Sequence, residues 1–253
     1  MNIKEISSKI EYLNYSATKI QNFFDDEIYY RKKYLLGLLV DLDNNRLFFH
    51  DDEIDEESGI IYGTLMHKIL EKIGKWLKND FTIDEKELTN TIREVIPYNL
   101  INSTDLPENL FLESTKVSKT GLIRDNYMNI LEGKAEYFLT MPVDNDFLNA
   151  KIDLLLKNNN GQYEIWDWKT NNIQDNVQKE KLISHYEFQM KVYAFLISKI
   201  FNQDEYISRL LFTKLAGENA REDEWTHKYI FTKTELTGFE NGLAEQIKMI
   251  PRI

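Results

Sequence analysis

Two short apolar runs near the middle of the chain have the polar and apolar alternation of β-strands. The first run, A-K-I-D-L-L-L, begins at Ala150, and the second, Q-Y-E-I-W-D-W-K-T, ends at Thr170. The sequence Asn-Asn-Asn-Gly at residues 158–161 lies between them. Asn and Gly tolerate the left-handed backbone angles that a tight turn requires. The pattern therefore predicts a β-hairpin over residues 150–170.

The second predicted strand carries a polar pair and an aromatic pair on opposite faces, because side chains alternate along a strand. Asp167 and Lys169 share one face, and the two tryptophans, Trp166 and Trp168, share the other. The hairpin brings Asp153 beside the polar pair. Two close carboxylates repel each other unless a divalent cation lies between them. A lysine beside that cation can orient or deprotonate a water molecule and stabilise developing negative charge. The simpler alternative is a hairpin with a charged outer face.

Helical periodicity predicts a first helix that begins at Ser16 or Thr18 and ends near Leu36. Its face carries aromatic and apolar residues, namely Ile20, Phe23, Phe24, Tyr30 and Tyr34. Basic residues 31–33 lie near its end. They suit the negative end of a helix dipole, and they equally suit a small basic and aromatic patch for nucleic acid. The sequence leaves both interpretations open.

A second helix is predicted from Ile60 to Leu77. Gly63 and His67 lie four residues apart and therefore share a face of this helix. A single histidine on a helix is more often structural than a metal ligand. A glycine one turn earlier favours the ligand interpretation slightly, because glycine allows another group to approach the helix closely.

The rest of the chain predicts alternating helices and strands around one sheet. Glu136, on a predicted strand over residues 134–142, is a weaker candidate for the site. On a long helix over residues 176–201, His185, Gln189 and Tyr193 form a polar stripe, and Tyr186 is expected to make apolar contacts elsewhere. The other predicted elements are helices at 84–95, 121–131 and 235–250, an irregular segment with Pro97 and Pro107, and strands at 206–215 and 225–231. These elements predict one α/β domain over residues 1–253, with a central mixed sheet flanked by helices and an insertion around 80–130.

Composition narrows the class of protein. The 253 residues include no cysteine, which excludes disulfides, thiolate zinc sites and cysteine-ligated iron–sulfur clusters and suits a reducing cytoplasm. No signal peptide and no apolar run of membrane-spanning length is found, so we expect a cytoplasmic protein without a membrane partner. The net charge of −11 argues against a general nucleic-acid coat protein. It allows an enzyme that binds phosphate locally.

Five fragments of this sequence resemble, in order, the motifs of the nuclease domain of the RecB and AddA/AddB helicase–nucleases, within the PD-(D/E)XK superfamily. The resemblance covers residues 15–193 except for the predicted insertion. The fragments are Y-S-A-T-K-I-Q-N-F-F with Y-Y-R-K-K-Y-L-L-G-L, then G-T-L-M-H, A-K-I-D, D-W-K-T and Q-M-K-V-Y. The resemblance implies a restriction-endonuclease-like α/β core.

The resemblance also implies roles for individual residues. It assigns the divalent metal, Mg²⁺ or Mn²⁺, to His67, Asp153 and Asp167, joined by the backbone carbonyl of Trp168. It assigns the attacking water to Lys169. Strand positioning falls to Gln189 and Tyr193, and Glu136 is carried over provisionally because the family often has an acidic residue before the hairpin.

Two positions depart from the family pattern. Many relatives ligate a [4Fe–4S] cluster with a cysteine just before the tyrosine-rich part of the first helix, where this chain has residues 25–27, Asp-Asp-Glu. No such cluster is therefore expected. Ala150 replaces a glycine before the Asp153 strand, which is a small change.

The sequence thus predicts a metal-dependent DNA nuclease, most simply an exonuclease on single strands or DNA ends in recombination and repair. No phosphate-loop motif of a helicase is present, so a helicase subunit or the rest of a larger helicase–nuclease chain is a possible partner. Two alternatives stay open. One is a non-catalytic DNA-end-binding or assembly module, and the other is a site-specific endonuclease.

Overall fold

The computed structural model describes residues 12–37, 56–100 and 105–251, with side chains from residue 59 onward in the second range. The helices are α1 (Ala17–Asp25), α2 (Glu27–Tyr30), α3 (Glu56–Glu71), α4 (Ile73–Trp76), α5 (Glu85–Val95), α6 (Leu106–Ser118), α7 (Gly121–Asp125), α8 (Tyr127–Glu132), α9 (Asn176–Ser198), α10 (Glu222–Trp225) and α11 (Lys233–Met249). The strands are β1 (Asn14–Tyr15), β2 (Lys134–Val143), β3 (Asp146–Lys157), β4 (Tyr163–Lys169), β5 (Glu205–Phe212) and β6 (Thr226–Thr232).

These six strands form one mixed sheet with helices on both faces, as the sequence predicts. The order is β1-β3-β4-β5-β6, and β2 also pairs with β3. The β1–β3 and β4–β5 pairs are parallel, and the β2–β3, β3–β4 and β5–β6 pairs are antiparallel. Helix α9 connects the parallel strands β4 and β5, which need a crossover connection. The predicted hairpin is β3–β4, and Gly161 at its tip has a φ of +80°.

Strand β3 is unusual because its two edges are paired differently. One edge pairs with β2 along almost the whole strand. The other edge pairs with β1 at Phe147 and Leu148 and with β4 only from Leu154 onward. Residues 149–153 therefore have no ladder partner on this second edge within the described part of the chain, and the resulting gap lies between the ends of β1 and β4.

Two hydrophobic cores lie on the two faces of the sheet. The first, on the α9 side, includes α1, α9 and α11, and it receives Leu148, Ala150 and Ile152 from β3. The second, on the α3 side, includes α3 to α8, and it receives Leu154 and Leu156. Leu155 returns to the first core. The simple alternation of β3 is therefore broken between Ile152 and Leu155, at Asp153.

The predicted first helix is broken, contrary to expectation, at Asp26. Ser16 is its N-cap, since its hydroxyl accepts a hydrogen bond from the Lys19 backbone N–H at 3.1 Å. Asp26 has extended backbone angles, and its carboxylate caps α2 by accepting from the Tyr29 N–H at 2.9 Å. A short polar side chain that bonds the backbone in this way competes with a continuous helix. A π-helical turn over Arg31–Leu35 follows.

The predicted irregular segment after residue 95 is also partly wrong, because α6 begins directly before Pro107. Proline is favoured in the first helical turn, where its missing N–H has no partner to lose. The predicted helices at 60–77 and 121–131 each break once, at Lys72 and Asn126. The helices around residues 80–130 contribute to the second core. Among the described residues, no helix is both long and apolar enough to cross a membrane.

Candidate active site

The candidate site lies where the β3–β4 pairing ends. The last pair toward the open end is Leu154 with Trp166. Asp153 and Asp167 are the next residues of the two strands, so both carboxylates lie beside the gap in the sheet. Strand β4 keeps its alternation here. Trp168 packs in the second core, as Trp166 does, while Asp167 points to the α9 side.

Asp153 closes the gap with its side chain. Its Oδ2 accepts a hydrogen bond from the backbone N–H of Trp168 at 2.8 Å. The same oxygen lies 3.3 Å from Nδ1 of His67 on α3. Because a residue in an extended strand directs its N–H and C=O to the same side, the carbonyl of Trp168 is directed to this gap as well.

Asp167 and Lys169 form a buried ion pair on the α9 side. Lys169 Nζ lies 2.7 Å from Asp167 Oδ2, and the two side chains are 13% and 3% exposed. Apart from this ammonium group, the buried Oδ2 of Asp167 has no partner among the described residues. Burial raises the pKa of Asp167; Lys169 opposes this shift, and the charge of Asp153 adds to it. A buried carboxylate is costly unless it is paired, and Lys169 supplies that pairing.

Lys169 is held by two side chains from α9. Its Nζ donates to Gln189 Oε1 at 3.2 Å and lies 3.9 Å from the ring centroid of Tyr186. Gln189 Nε2 in turn donates to the Tyr193 hydroxyl at 2.6 Å. Burial alone would lower the pKa of Lys169, but the charge of Asp167 outweighs it, so the pKa is raised. Lys169 is therefore a cation at neutral pH. This charge state suits charge stabilisation and orientation of a water rather than its deprotonation.

Gly63 allows α3 to approach the end of β4 closely. A Cβ atom at Gly63 would lie 2.8 Å from Oγ1 of Thr170. His67 is one turn further along α3, so this contact sets its distance from Asp153. Burial would lower the pKa of His67, but the hydrogen bond and charge of Asp153 outweigh burial and raise it.

Glu136 does not join the other acidic groups. It occupies the β2 position between Ala135, which pairs with Leu154, and Tyr137, which pairs with Ile152, so it lies opposite Asp153. Its backbone has a φ of +52°, which is rare for a residue other than glycine. Its carboxylate forms an ion pair with Lys151 instead.

The fit of a divalent cation depends on the two aspartates. Within residues 12–37, 56–100 and 105–251, no three His, Asp or Glu side chains are arranged as a ready metal site. The predicted set of His67, Asp153 and Asp167 is thus not preassembled. Two neighbouring carboxylates still suit a hard cation, whose preferred ligands are oxygens.

Sequence reasoning missed three contacts of the site. Tyr186 was expected to make only apolar contacts, but its ring faces the Lys169 ammonium. It precedes Gln189 by three residues and so shares its face, which is the signal that could have found it. The closeness of Thr170 to Gly63 has no local signal. Nor has the bond from Gln21 Nε2 to the His185 carbonyl at 2.9 Å, which ties α1 to α9.

Comparison with solved structures finds distant likenesses, of which two are described here. One is the crystal structure of a "Putative exonuclease" from Eubacterium rectale, with a TM-score of 0.49 and 13% identity over 99% of this chain and 85% of that chain. The other is the crystal structure of SSO0001, with a TM-score of 0.32 and 17% identity over 76% of this chain and 88% of that chain. Both are too distant to support an argument about function.

No curated protein matches the chain. The family model of the PD-(D/E)XK nuclease superfamily, by contrast, matches residues 14–252. The match includes every strand and helix described above, and with them both aspartates and the lysine of the candidate site. The chain belongs to the PD-(D/E)XK nuclease superfamily.

Proposed function

We propose that this chain hydrolyses DNA phosphodiester bonds with the help of a divalent cation, Mg²⁺ or Mn²⁺. The observation that carries the proposal is the arrangement of Asp153, Asp167 and Lys169 at the gap beside β3. Two carboxylates and one ammonium group are brought together there, and Asp167 is buried with Lys169 as its ionic partner. A structural ion pair has no need of the second carboxylate beside it.

Each residue of the site has a distinct part in the proposal. Asp153 and Asp167 would hold the cation, with the Trp168 carbonyl and His67 as further ligands. When bound, the cation supplies Lewis acidity and lowers the pKa of a coordinated water. Lys169 remains protonated, and its ammonium group stabilises charge that develops on the phosphate and orients the attacking water.

Residues of α9 act on this lysine rather than on the phosphate. Gln189 accepts a hydrogen bond from Lys169 and is itself held by Tyr193. Burial, followed by the charge of Asp167, raises the pKa of Tyr193, so its hydroxyl stays neutral while its oxygen accepts the bond from Gln189. The pair therefore fixes the ammonium group before any substrate binds, which is the condition for electrostatic preorganisation.

We infer further that the substrate is single-stranded DNA or a DNA end and that the activity is exonucleolytic, in recombination or repair. The motif order that resembles RecB and AddA/AddB supports this inference, and a helicase is then a natural partner. The absence of cysteine sets this chain apart from those relatives that ligate an iron–sulfur cluster.

Two other functions make different predictions. A DNA-end-binding or assembly module would keep the fold but has no need for two carboxylates that face a polyanion. A site-specific endonuclease would cut closed circular DNA, and no long basic reading loop stands out in the sequence. End-labelled linear DNA and closed circular DNA, each incubated with Mn²⁺, separate these functions by their products.

Replacement of Asp167 by Asn tests the proposal most directly, because it keeps the shape of the side chain and removes one charge. We expect cleavage to be abolished, while binding of labelled single-stranded DNA in EDTA stays equal or becomes tighter. Fluorescence anisotropy beside a Mn²⁺ cleavage assay measures both. Cleavage at the parental rate would place the metal site elsewhere. A parental protein that cuts no DNA under any condition would favour the binding module.

A further inference from the structure

A narrow cleft of about 240 Å³ lies on the α3 side of Asp153. It is bounded by the end of α3, by α4, by the end of α8 and by the start of β2. Asp153 and Trp168 both line it, so it opens directly onto the gap at which the cation is proposed to bind. The roles assigned above to Lys169, Gln189 and Tyr193 do not use this cleft.

The inner surface of the cleft is apolar. Four of its side chains are at most 6% exposed, namely Leu70, Ile73, Ile130 and Leu154. Two glycines allow the walls to come close together. A Cβ atom at Gly74 would lie 2.6 Å from Leu131 Cδ2, and one at Gly133 would lie 2.9 Å from Leu154 Cδ1. Because these atoms are already in contact, the two glycines bring α4 onto α8 and the start of β2 onto β3, and they hold the walls of the cleft in place.

The charged groups at the rim nearly cancel. Glu71 and Asp153 are acidic, and Lys72 and Lys75 are basic. Lys72 is already engaged, since its Nζ donates to Glu94 Oε2 at 3.1 Å. A cleft with this balance does not select a phosphate and suits a neutral group. Its volume is also below the ~300–1,000 Å³ of pockets that enclose whole drug-sized ligands, so it suits a single base rather than two nucleotides.

We propose that this cleft binds the base of the nucleotide next to the phosphate that is cut. The proposal rests on the proposed function, because it assumes a phosphate at Asp153 and Asp167. A base that is stacked and paired in a duplex cannot enter such a cleft, whereas an unpaired base can. The cleft thus gives a physical reason for a single-stranded substrate at the point of cleavage.

The test combines a change in the cleft with a change in the substrate. Ala135 is exposed and lines the cleft from β2, so Ala135→Phe fills it without touching either core. Thr140→Phe is the matched control, since Thr140 is exposed on the same strand and outside the cleft. The substrates are single-stranded oligonucleotides in which one abasic residue is stepped across the scissile position. Initial rates with Mn²⁺ give kcat/KM for each pair.

We expect the parental protein and Thr140→Phe to lose about tenfold in kcat/KM at one abasic position, in line with the worth of one well-held base. Ala135→Phe should cut the normal strand as slowly as the parent cuts the strand with the abasic residue at that position. Its kcat/KM should not fall further when it is given the abasic strand. Leu131→Trp, at another wall of the cleft, provides a second filled variant if Ala135→Phe does not fold.

Two results would overturn the proposal separately from the nuclease function. Equal rates on normal and abasic strands, from a parental protein that cuts both, would remove the base site and leave the nuclease function intact. An abasic effect of the same size in Ala135→Phe and Leu131→Trp would place the base elsewhere. If the parent cuts nothing, the proposed function fails. Anisotropy titrations with the same strands in Ca²⁺ then test the base-binding cleft by affinity alone. Equal affinities for normal and abasic strands would overturn the proposal that the cleft binds a base.

Discussion

The two sides of the candidate active site are assembled to different degrees. On the α9 side, Asp167, Lys169, Gln189 and Tyr193 form one connected series of polar contacts, of which the first pair is almost fully buried. On the α3 side, His67 Nδ1 lies 3.3 Å from Asp153 Oδ2, and the histidine side chain is 29% exposed. The side that carries the lysine is fixed, and the side that carries the histidine is loose.

This difference follows from the physical chemistry of burial. A charged group away from water must be paired, or the fold loses several kcal/mol. Lys169 and Asp167 therefore have to be in their final contacts when the protein folds. Burial acts on His67 as well, but its side chain is 29% exposed, so its position is less constrained than that of Lys169. We infer that the chemistry is built into the fold and that metal affinity is adjustable.

The largest expected effect is that of Lys169→Ala, at the fixed side. Cleavage should fall by ~10²-fold or more, because one preorganised electrostatic group is lost. The fold should be retained, at a lower melting temperature, since Asp167 loses its counter-ion. The double variant Lys169→Ala with Asp167→Asn should recover the melting temperature but not the cleavage. Near-parental cleavage by folded Lys169→Ala would contradict the mechanism.

A substitution where α3 meets the end of β4, between the two sides of the candidate active site, should have a smaller effect than Lys169→Ala. Gly63→Ala places a Cβ atom 2.8 Å from Thr170 Oγ1, so α3 or the end of β4 has to move. We expect a loss of about tenfold in kcat, because a displacement of 1 Å can cost up to ~10²-fold. Thr170→Ala removes the obstructing oxygen. Its combination with Gly63→Ala should restore the rate, and an unrestored rate would mean that this contact does not position the site.

The loose side is tested by His67→Ala. We expect a shift of about tenfold in the Mn²⁺ concentration that supports half-maximal cleavage, the lower part of the ~10–100-fold range for groups that support a metal. The melting temperature should change little, because the side chain is partly exposed. Calorimetric titration with Mn²⁺ beside a melting curve measures both quantities. A lower melting temperature with unchanged metal dependence would identify His67 as a structural histidine.

The smallest effect is expected for Glu136→Gln. Its carboxylate is paired with the exposed Lys151, and such surface pairs contribute at most ~1 kcal/mol. Cleavage and melting temperature should therefore stay within about fivefold and a few degrees of the parent, respectively. A loss as large as that of Lys169→Ala would show instead that Glu136 turns toward the cation when it binds.

Local sequence signals were sufficient for much of the fold and for the fixed side of the site. The turn at Gly161, the alternation around Asp167 and the four-residue spacing of Gln189 and Tyr193 each depend on neighbours in the chain. The capping side chain of Asp26 and the proline at the start of α6 were equally local signals. A stricter use of the capping rules would have found the break at Asp26 and the start of α6.

The remaining features depend on contacts between distant segments. Strand β3 changes face at Asp153 because β1 and β4 pair with the same edge and leave a gap, which no pattern within β3 encodes. The positive φ of Glu136 occurs at the same level of the sheet. The approach of Thr170 to Gly63 joins two segments more than a hundred residues apart. Sequence therefore identified the residues of the candidate site but not the break in the sheet that brings the two carboxylates together.

The gap at residues 149–153 also bears on aggregation. An unpaired strand edge at the rim of a sheet is a template for another chain, but this one is internal. Strand β1 pairs with the start of β3, and β4 pairs with the end of β3. An incoming strand from a second molecule would therefore find at most five residues of β3, bounded at both ends. Within the described part of the chain, the backbone groups of this gap can thus face a ligand inside the sheet without forming an open edge for intermolecular β-pairing.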